Sequence, residues 1–276
     1  MTSSLYATTL LEALTLEKLD RDLYRGINVE AWAGTLYGGQ VAAQSLAAAG
    51  LTVDPNRRPH SMHGYFLRRG RGDIPVIFKV DRDRDGGSFS SRHVAAEQDG
   101  EVIFSMLASF QRTSDEEWPS LDPDLVPFDP PDFASLETRT DIMMDIIERT
   151  APEADDEIDD VNEYLSLRAS HSLGDDPIIQ AAGLVYLSDL GSGFRRVFLD
   201  GLANGGPSID HLVYFHEPVR ADDWVTLQMW PSASRSRRGF YLGHMRGPAN
   251  ELAAVIGQEC LLHQRGNEPP YRGPSA

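Results

Sequence analysis

A helical segment followed by four strand-like runs occurs twice in this chain. That repetition narrows the possible folds more than any other feature. The first copy opens with TLYGGQVAAQSLAAAG (35–50), where alanines favour helix, Gly38-Gly39 stand near the start and Gly50 supplies a stop. HSMHGYFL (60–67), DIPVIFKVDRDR (73–84), SFSSRHVAAEQ (88–98) and EVIFSMLASFQ (101–111) follow, divided by glycine-bearing turns. The second copy opens with the apolar helix DPIIQAAGLVYLSDL (176–190). SIDHLVYFHEP (208–218), WVTLQMWPSAS (224–234), RGFYLGHMRG (238–247) and LAAVIGQECLLH (252–263) follow it. One long apolar helix wrapped by an antiparallel sheet buries both apolar faces, so the reading is α+β, built twice. Ser61 and Gln111 are as far apart as Ser208 and Gln258. This spacing predicts a repeat offset of 147, which carries Ala42 onto Asp189.

Between the copies the composition changes. Residues 112–165 hold 18 acids and 3 bases, whereas the remainder of the chain is nearly balanced. The stretch 115–133 carries five prolines, which exclude a regular helix or central strand there. ETRTDIMMDIIER (137–149) predicts a short amphipathic helix, and 151–164 reads as a solvated charge run. The expected organisation is therefore an N-terminal unit over 1–111, an acidic linker over 112–165, a C-terminal unit over 166–265 and a frayed tail over 266–276.

The total of 42 acids against 25 bases gives a net charge of −17, which argues against a general nucleic-acid binder. No apolar run reaches the roughly 18–20 residues of a membrane span, and the N-terminus does not read as a signal peptide. Cys260 is the single cysteine, which rules out a disulfide framework and gives no metal cluster. A cytoplasmic protein is the expectation.

The segments LYGGQVAAQSL (36–46), HSMHGYFLRRG (60–70), RDGGSFSSRHVAAEQDGEVIFSMLASFQ (84–111), YLSD (186–189), SIDHLVYFHEPVRADDW (208–224) and SASRSRRGF (232–240) resemble the acyl-CoA thioesterase II family. The resemblance covers most of 5–111 and 176–263. It implies a double hotdog, two helix-in-sheet units in one chain, and hydrolysis of fatty acyl-CoA to free acid and coenzyme A. No cofactor is implied, since coenzyme A is part of the substrate, and a homo-oligomer is expected.

The same resemblance assigns the chemistry. Asp189 matches the family's catalytic carboxylate, while Ser208 and Gln258 match its hydroxyl and amide members. Read without it, Asp189 fits a water-facing helix end equally well, Ser208 a strand start and Gln258 a polar strand residue. With it, Asp189 takes a proton from a water that Ser208 and Gln258 hold. A thioester has a good leaving group, so a positioned water suffices without a metal. The oxyanion needs donors, and Gly38, Gly39 and Gln40 at a helix start suit that role. Those glycines equally suit tight packing of helix on sheet. Arg68, Arg69, Arg71, Arg235, Arg237 and Arg238 are candidates for the coenzyme A phosphates, or ordinary surface arginines. The first copy has no acid in 35–50, which predicts one active site per chain.

Other signals carry less. His60 and His63 on one strand would point to opposite faces, which makes a zinc pair a poor reading. His211 beside Asp210 suggests a serine relay with Ser208. No GxSxG elbow is present, however, and near neighbours on one strand do not form a relay easily. Two rival functions stay open. Acyl-thioester hydration or dehydration needs a carboxylate with a histidine, and 176–193 contains none. The other is a non-catalytic acyl-CoA-binding protein.

Overall fold

In a computed structural model the described residues are 6–29, 34–113, 133, 136–140, 143–149, 163–190 and 202–264. The first half runs β1 (Tyr6–Ala7), α1 (Leu10–Leu14), β2 (Glu17–Asp20), β3 (Leu23–Gly26), β4 (Asn28–Val29), α2 (Gly38–Gly50), β5 (Arg57–Phe66), β6 (Val76–Asp85), β7 (Phe89–Gln98) and β8 (Glu101–Arg112). The second runs β9 (Arg139–Thr140), β10 (Met144–Arg149), β11 (Glu163–Ala169), α3 (Pro177–Ser188), β12 (Leu202–Ser208), β13 (Asp210–Phe215), β14 (Val225–Arg235), β15 (Arg238–Arg246) and β16 (Leu252–Gln264).

Both expected long helices form. α2 is alanine-rich and buried along almost its whole length, so small side chains let it lie close against strands and against α3. α3 starts on Asp176, whose carboxylate accepts the Ile178 N–H at 2.8 Å, with Pro177 in the first turn. It ends on Asp189.

Among the described residues, fourteen strands join in one antiparallel sheet, in the order β2-β3-β6-β7-β8-β5-β13-β16-β15-β14-β11-β10-β9, with β12 paired to β16. The order is nearly palindromic. The halves meet where β5 pairs β13, from Asp210 opposite Tyr65 to Tyr214 opposite Ser61.

The irregularities of the sheet fix the true repeat. A bulge in the β6–β7 ladder separates Arg82↔Arg92 from Arg84↔Ser91. Its counterpart separates Pro231↔Tyr241 from Ala233↔Phe240. In the β5–β8 ladder Pro59 faces Phe110 just before the bulge, as Ser208 faces Cys260 in β12–β16. Each strand residue therefore recurs 149 positions later, and one position further on in the last strand. The offset of 147 is thus a coincidence of residue types. Pro59, not Ser61, corresponds to Ser208, and Ala108, not Gln111, corresponds to Gln258. By their positions as helix C-caps, Leu51 rather than Ala42 corresponds to Asp189.

A second expectation is also corrected. Residues 144–149 are strand β10, not helix. Met143, Met144, Asp145, Ile146 and Ile147 are all buried, which an amphipathic helix could not achieve, and adjacent β-branched isoleucines favour strand. Asp145 tolerates burial because Arg168 on β11 donates to it at 2.7 Å. β10 and β11 flank β14 as β2 and β3 flank β6, so part of 112–165 belongs to the sheet of the second half.

Candidate active site

α2 and α3 pack antiparallel, and their opposite ends meet. At one end Asp189 closes α3 and faces the start of α2. A Cβ on Gly38 would lie 2.6 Å from Asp189 Oδ2, and one on Gly39 would lie 2.7 Å from the Tyr186 carbonyl oxygen. Glycine is required at both positions because backbone and carboxylate approach too closely for a side chain. The Gly39 N–H donates to the Asp189 carboxylate, so the positive end of the α2 dipole points at the charge. Tyr37 reinforces the junction, its hydroxyl donating to the Tyr186 carbonyl at 3.0 Å.

Strands of the second half supply the remaining groups. Gln258 on β16 donates through Nε2 to Asp189 Oδ1 at 2.8 Å and also to Ser208 Oγ at the end of β12. Ser208 Oγ lies 3.4 Å from the same Asp189 oxygen. The sequence-derived trio is therefore brought together around one carboxylate oxygen. Desolvation by burial is the dominant influence on Asp189 and raises its pKa above the ordinary carboxylate range. A proton on His211, were it held there, and the donors on Gln258, Gly39 and Ser208 act against that rise. The balance describes a base stronger than a water-exposed aspartate.

Two further residues belong to the cluster. His211 on β13 places Nδ1 2.6 Å from Gln258 Oε1 and Nε2 2.8 Å from Ser188 Oγ. Tyr241 on β15 donates its hydroxyl to Gln258 Oε1 at 2.7 Å. The sequence suggested a His211–Ser208 relay, but these two residues connect only through the Gln258 amide. Nothing local marks Tyr241. Its one available signal is an inward-facing position on the strand that pairs with β16, directly opposite Gln258.

The other sequence candidates are more dispersed. The Gln40 N–H is bonded to the Tyr37 carbonyl at 3.2 Å, and its buried side chain joins Asn28 Oδ1 at 3.0 Å and the Val29 N–H at 3.3 Å. Gln40 thus ties α2 to β4. Arg71 is paired with Asp73 and Asp99, Arg68 with Glu101 and Arg238 with Glu259. Arg235 and Arg237 are exposed at the β14–β15 turn. Arg69 donates to the Thr35 hydroxyl just ahead of α2, where the Leu36 N–H is bonded to the Gly70 carbonyl at 3.0 Å. His60 bonds Ser109 and His63 bonds Asp210 across the junction of the halves, at 2.8 and 2.9 Å. Burial pushes the Cys260 thiol up to about 11, which leaves it protonated and unsuited as a nucleophile near neutral pH.

Comparison with known proteins identifies the family. The acyl-CoA thioesterase N-terminal domain profile matches residues 28–111, and the acyl-CoA thioesterase C-terminal domain profile matches residues 116–262. The chain belongs to the acyl-CoA thioesterase II family, a family of thioester hydrolases. It is 31% identical to human acyl-coenzyme A thioesterase 8 over 279 aligned residues, spanning 90% of this chain and 87% of the relative. Acyl-CoA thioesterase 2 of Haemophilus influenzae is 27% identical, covering 92% of this chain and 96% of its own. Among solved structures, an acyl-CoA thioesterase II from Mycobacterium marinum is 32% identical with a TM-score of 0.75, covering 95% of this chain and 99% of that one. A hotdog-fold protein from Alicyclobacillus acidocaldarius, at 18% identity and a TM-score of 0.72, supports the fold alone. Among the described residues no helix is long and apolar enough to cross a membrane.

Proposed function

We propose that this thioester hydrolase cleaves fatty acyl-CoA by direct attack of a water held by Asp189, Ser208 and Gln258. The observation that carries the reading is the convergence of the Gln258 amide and the Ser208 hydroxyl on one oxygen of a half-buried carboxylate. The 3.4 Å Ser208–Asp189 contact is the loosest link, and a water bound there exchanges one long hydrogen bond for two of ordinary length. Asp189 takes a proton as the water oxygen bonds to the thioester carbonyl carbon. The tetrahedral oxyanion then collapses, breaking the C–S bond. The coenzyme A thiolate leaves and takes up that proton, giving one acid and one thiol per water consumed.

The start of α2 serves the oxyanion in this scheme. While Asp189 is ionised it holds the Gly39 N–H. Once Asp189 is protonated that hold weakens, just as charge develops on the substrate oxygen. The first half thus provides the dipole and Gly38-Gly39, and the second half provides the base. Arg69 is the arginine best placed for a substrate phosphate, since it sits on the approach to α2 and its guanidinium is bonded to a hydroxyl. The two halves are read as tandem hotdogs. The homo-oligomer is assigned to the outer sheet face around the junction, where Tyr65, Leu107 and Tyr214 are exposed.

Hydration or dehydration of an acyl thioester would need a histidine reaching substrate. His211 is fully buried with both ring nitrogens engaged, which favours hydrolysis. Thiol release from palmitoyl-, octanoyl- and acetyl-CoA tests the reading. Wild type releases thiol and Asp189→Ala does not. Equal release by both removes Asp189 from the mechanism, and no release from any substrate favours a binding protein. An acyl adduct on Ser208 in mass spectrometry would replace direct water attack by a covalent route.

A further inference from the structure

We propose that His211 and Tyr241 are positioning residues that lock the Gln258 amide with its nitrogen toward Asp189 and Ser208. The inference rests on the water-attack reading above, since the locked amide is the one that holds the water.

A primary amide has nearly the same shape when its oxygen and nitrogen exchange places. At this site the two orientations differ sharply in chemistry. In one, Nε2 donates to Asp189 and Ser208. In the other, a carbonyl oxygen faces the carboxylate and offers water an acceptor where a donor is needed. The ionised Asp189 selects the first orientation by itself. It loses that selectivity during turnover, because a protonated Asp189 could donate to a flipped Oε1. Something else must hold the amide while the proton resides on Asp189.

Two donors stand in place to do so. Oε1 receives the Tyr241 hydroxyl at 2.7 Å and faces His211 Nδ1 at 2.6 Å. Gln258 lies on β16 between the strands that carry them, β13 and β15. His211, Tyr241, Gln258 and Ser188 are all buried, so water does not compete for these bonds.

The proton inventory is restrictive. Oε1 has no hydrogen, so His211 must carry one on Nδ1. Ser188 Oγ lies 2.8 Å from Nε2 and 2.9 Å from the Val185 carbonyl, with one hydrogen to give. Given to the Val185 carbonyl, that hydrogen leaves Nε2 to donate and His211 charged; given to Nε2, it makes His211 a neutral imidazole protonated at Nδ1, and Nδ1 carries a proton either way. Burial favours the neutral form. The charges of Asp189 at the end of α3 and Asp210 on its own strand pull the other way, and His63 on β5 adds to burial. In both cases Nδ1 is the donor to Oε1, and with the Tyr241 hydroxyl it fixes the amide.

The first half shows the lock missing together with the site. Met62 stands at the position of His211 and Arg92 at that of Tyr241, with Ala108 in place of Gln258.

Kinetics and spectroscopy test this separately. His211→Leu removes the donor and is expected to lower kcat about 10–100-fold, as loss of a buried hydrogen bond to a working group does, with KM changing less than about twofold. His211→Asn, whose amide nitrogen can take the place of Nδ1, restores most of the loss. Tyr241→Phe lowers kcat by a smaller factor. In a Gln258→Ala background neither His211→Leu nor Tyr241→Phe costs anything further, because both act through Gln258. Equal losses in that background overturn the proposal, as does His211→Asn performing no better than His211→Leu. Long-range proton–nitrogen correlation on wild type is expected to show His211 neutral and protonated at Nδ1. Protonation at Nε2 alone overturns the lock whatever the activity. Absence of thiol release from wild type strikes the hydrolysis reading instead, and leaves the tautomer to decide the lock.

Discussion

The α2–α3 pair has two ends, and only one brings a carboxylate against the partner helix. At one, Asp189 faces Gly38 and Gly39 with Ser208 and Gln258 beside it. At the other, the C-terminal end of α2 meets Ile178 at the start of α3. There the cap residue is Leu51 and the corresponding strand positions hold Pro59 and Ala108. The backbones agree down to the placement of their bulges, so on the proposed mechanism the halves differ by a handful of inward-facing side chains, and the half without them uses the same space for structure. Arg92, at the position of Tyr241, is fully buried and bonds the Thr52 hydroxyl and carbonyl and the Asp85 carboxylate, at 2.7, 3.0 and 2.7 Å.

The sharpest test of that asymmetry is Asp189→Asn. Loss of the base is expected to reduce kcat by about 10²–10⁴-fold with no residual contribution from the first half. Thermal stability should hold or rise. Burial raises the Asp189 pKa, so the folded state binds this proton more tightly than the unfolded chain, and the ionised carboxylate is a cost at neutral pH. A marked fall in Tm would show that the carboxylate has a structural role instead. The same shift predicts that wild-type kcat falls on acidification with an apparent pKa above that of an exposed aspartate, measured as a pH–rate profile.

Glycine substitutions compare the two ends directly. Gly38→Ala drives a methyl into Asp189 Oδ2 and is expected to lower kcat about 10-fold or more, since displacement of a catalytic group is costly. Gly50→Ala meets the Ile178 side chain at the other end. It is expected to cost about 1–3 kcal/mol of stability by overpacking while kcat holds, read by denaturant unfolding alongside thiol release. Similar kinetic losses from both would mean that the ends are functionally coupled. Arg92→Met makes the matching case on the strands. Its effect should appear in unfolding, at about 2 kcal/mol from the buried Thr52 hydroxyl and carbonyl left without their donor, and not in kcat. The smallest expected effect is from transplanting the trio. Adding Leu51→Asp, Pro59→Ser and Ala108→Gln to the Asp189→Asn protein should restore nothing measurable, because Met62 and Arg92 offer no amide lock there.

Much of the scaffold was legible because it is written locally. Alanine-rich α2, apolar α3 and the alternating runs of β5–β8 and β13–β16 carry their own periodicity and turns. What failed was whatever needed pairing information. The offset of 147 matched two residue types and ignored the hairpins, whose bulges set 149. The segment around Met144–Ile147 has helix-like spacing, yet neighbours on both sides of the strand bury all its side chains. Asp189, Ser208 and Gln258 were identified by resemblance, because nothing local distinguishes a base from a helix-end aspartate. His211 carries no local sign of its role, since its link to Ser208 passes through an amide 47 residues further along the chain. Gln40 is expected to offer its backbone N–H from its place at the helix start, and only the structure shows that N–H turned to the Tyr37 carbonyl while the side chain joins Asn28.

The seam between β5 and β13 also has a consequence for the protein in pieces. Each half closes the other's inner edge. A first half expressed alone would present the backbone of β5, with its free N–H and C=O groups, to any strand that could match it. The strand best shaped to match is another β5, running the opposite way about His63, which is the residue opposite its own counterpart Leu212 in the intact chain. A severed first half should therefore dimerise through that edge, and adding the severed second half should exchange the self-pair for the native one.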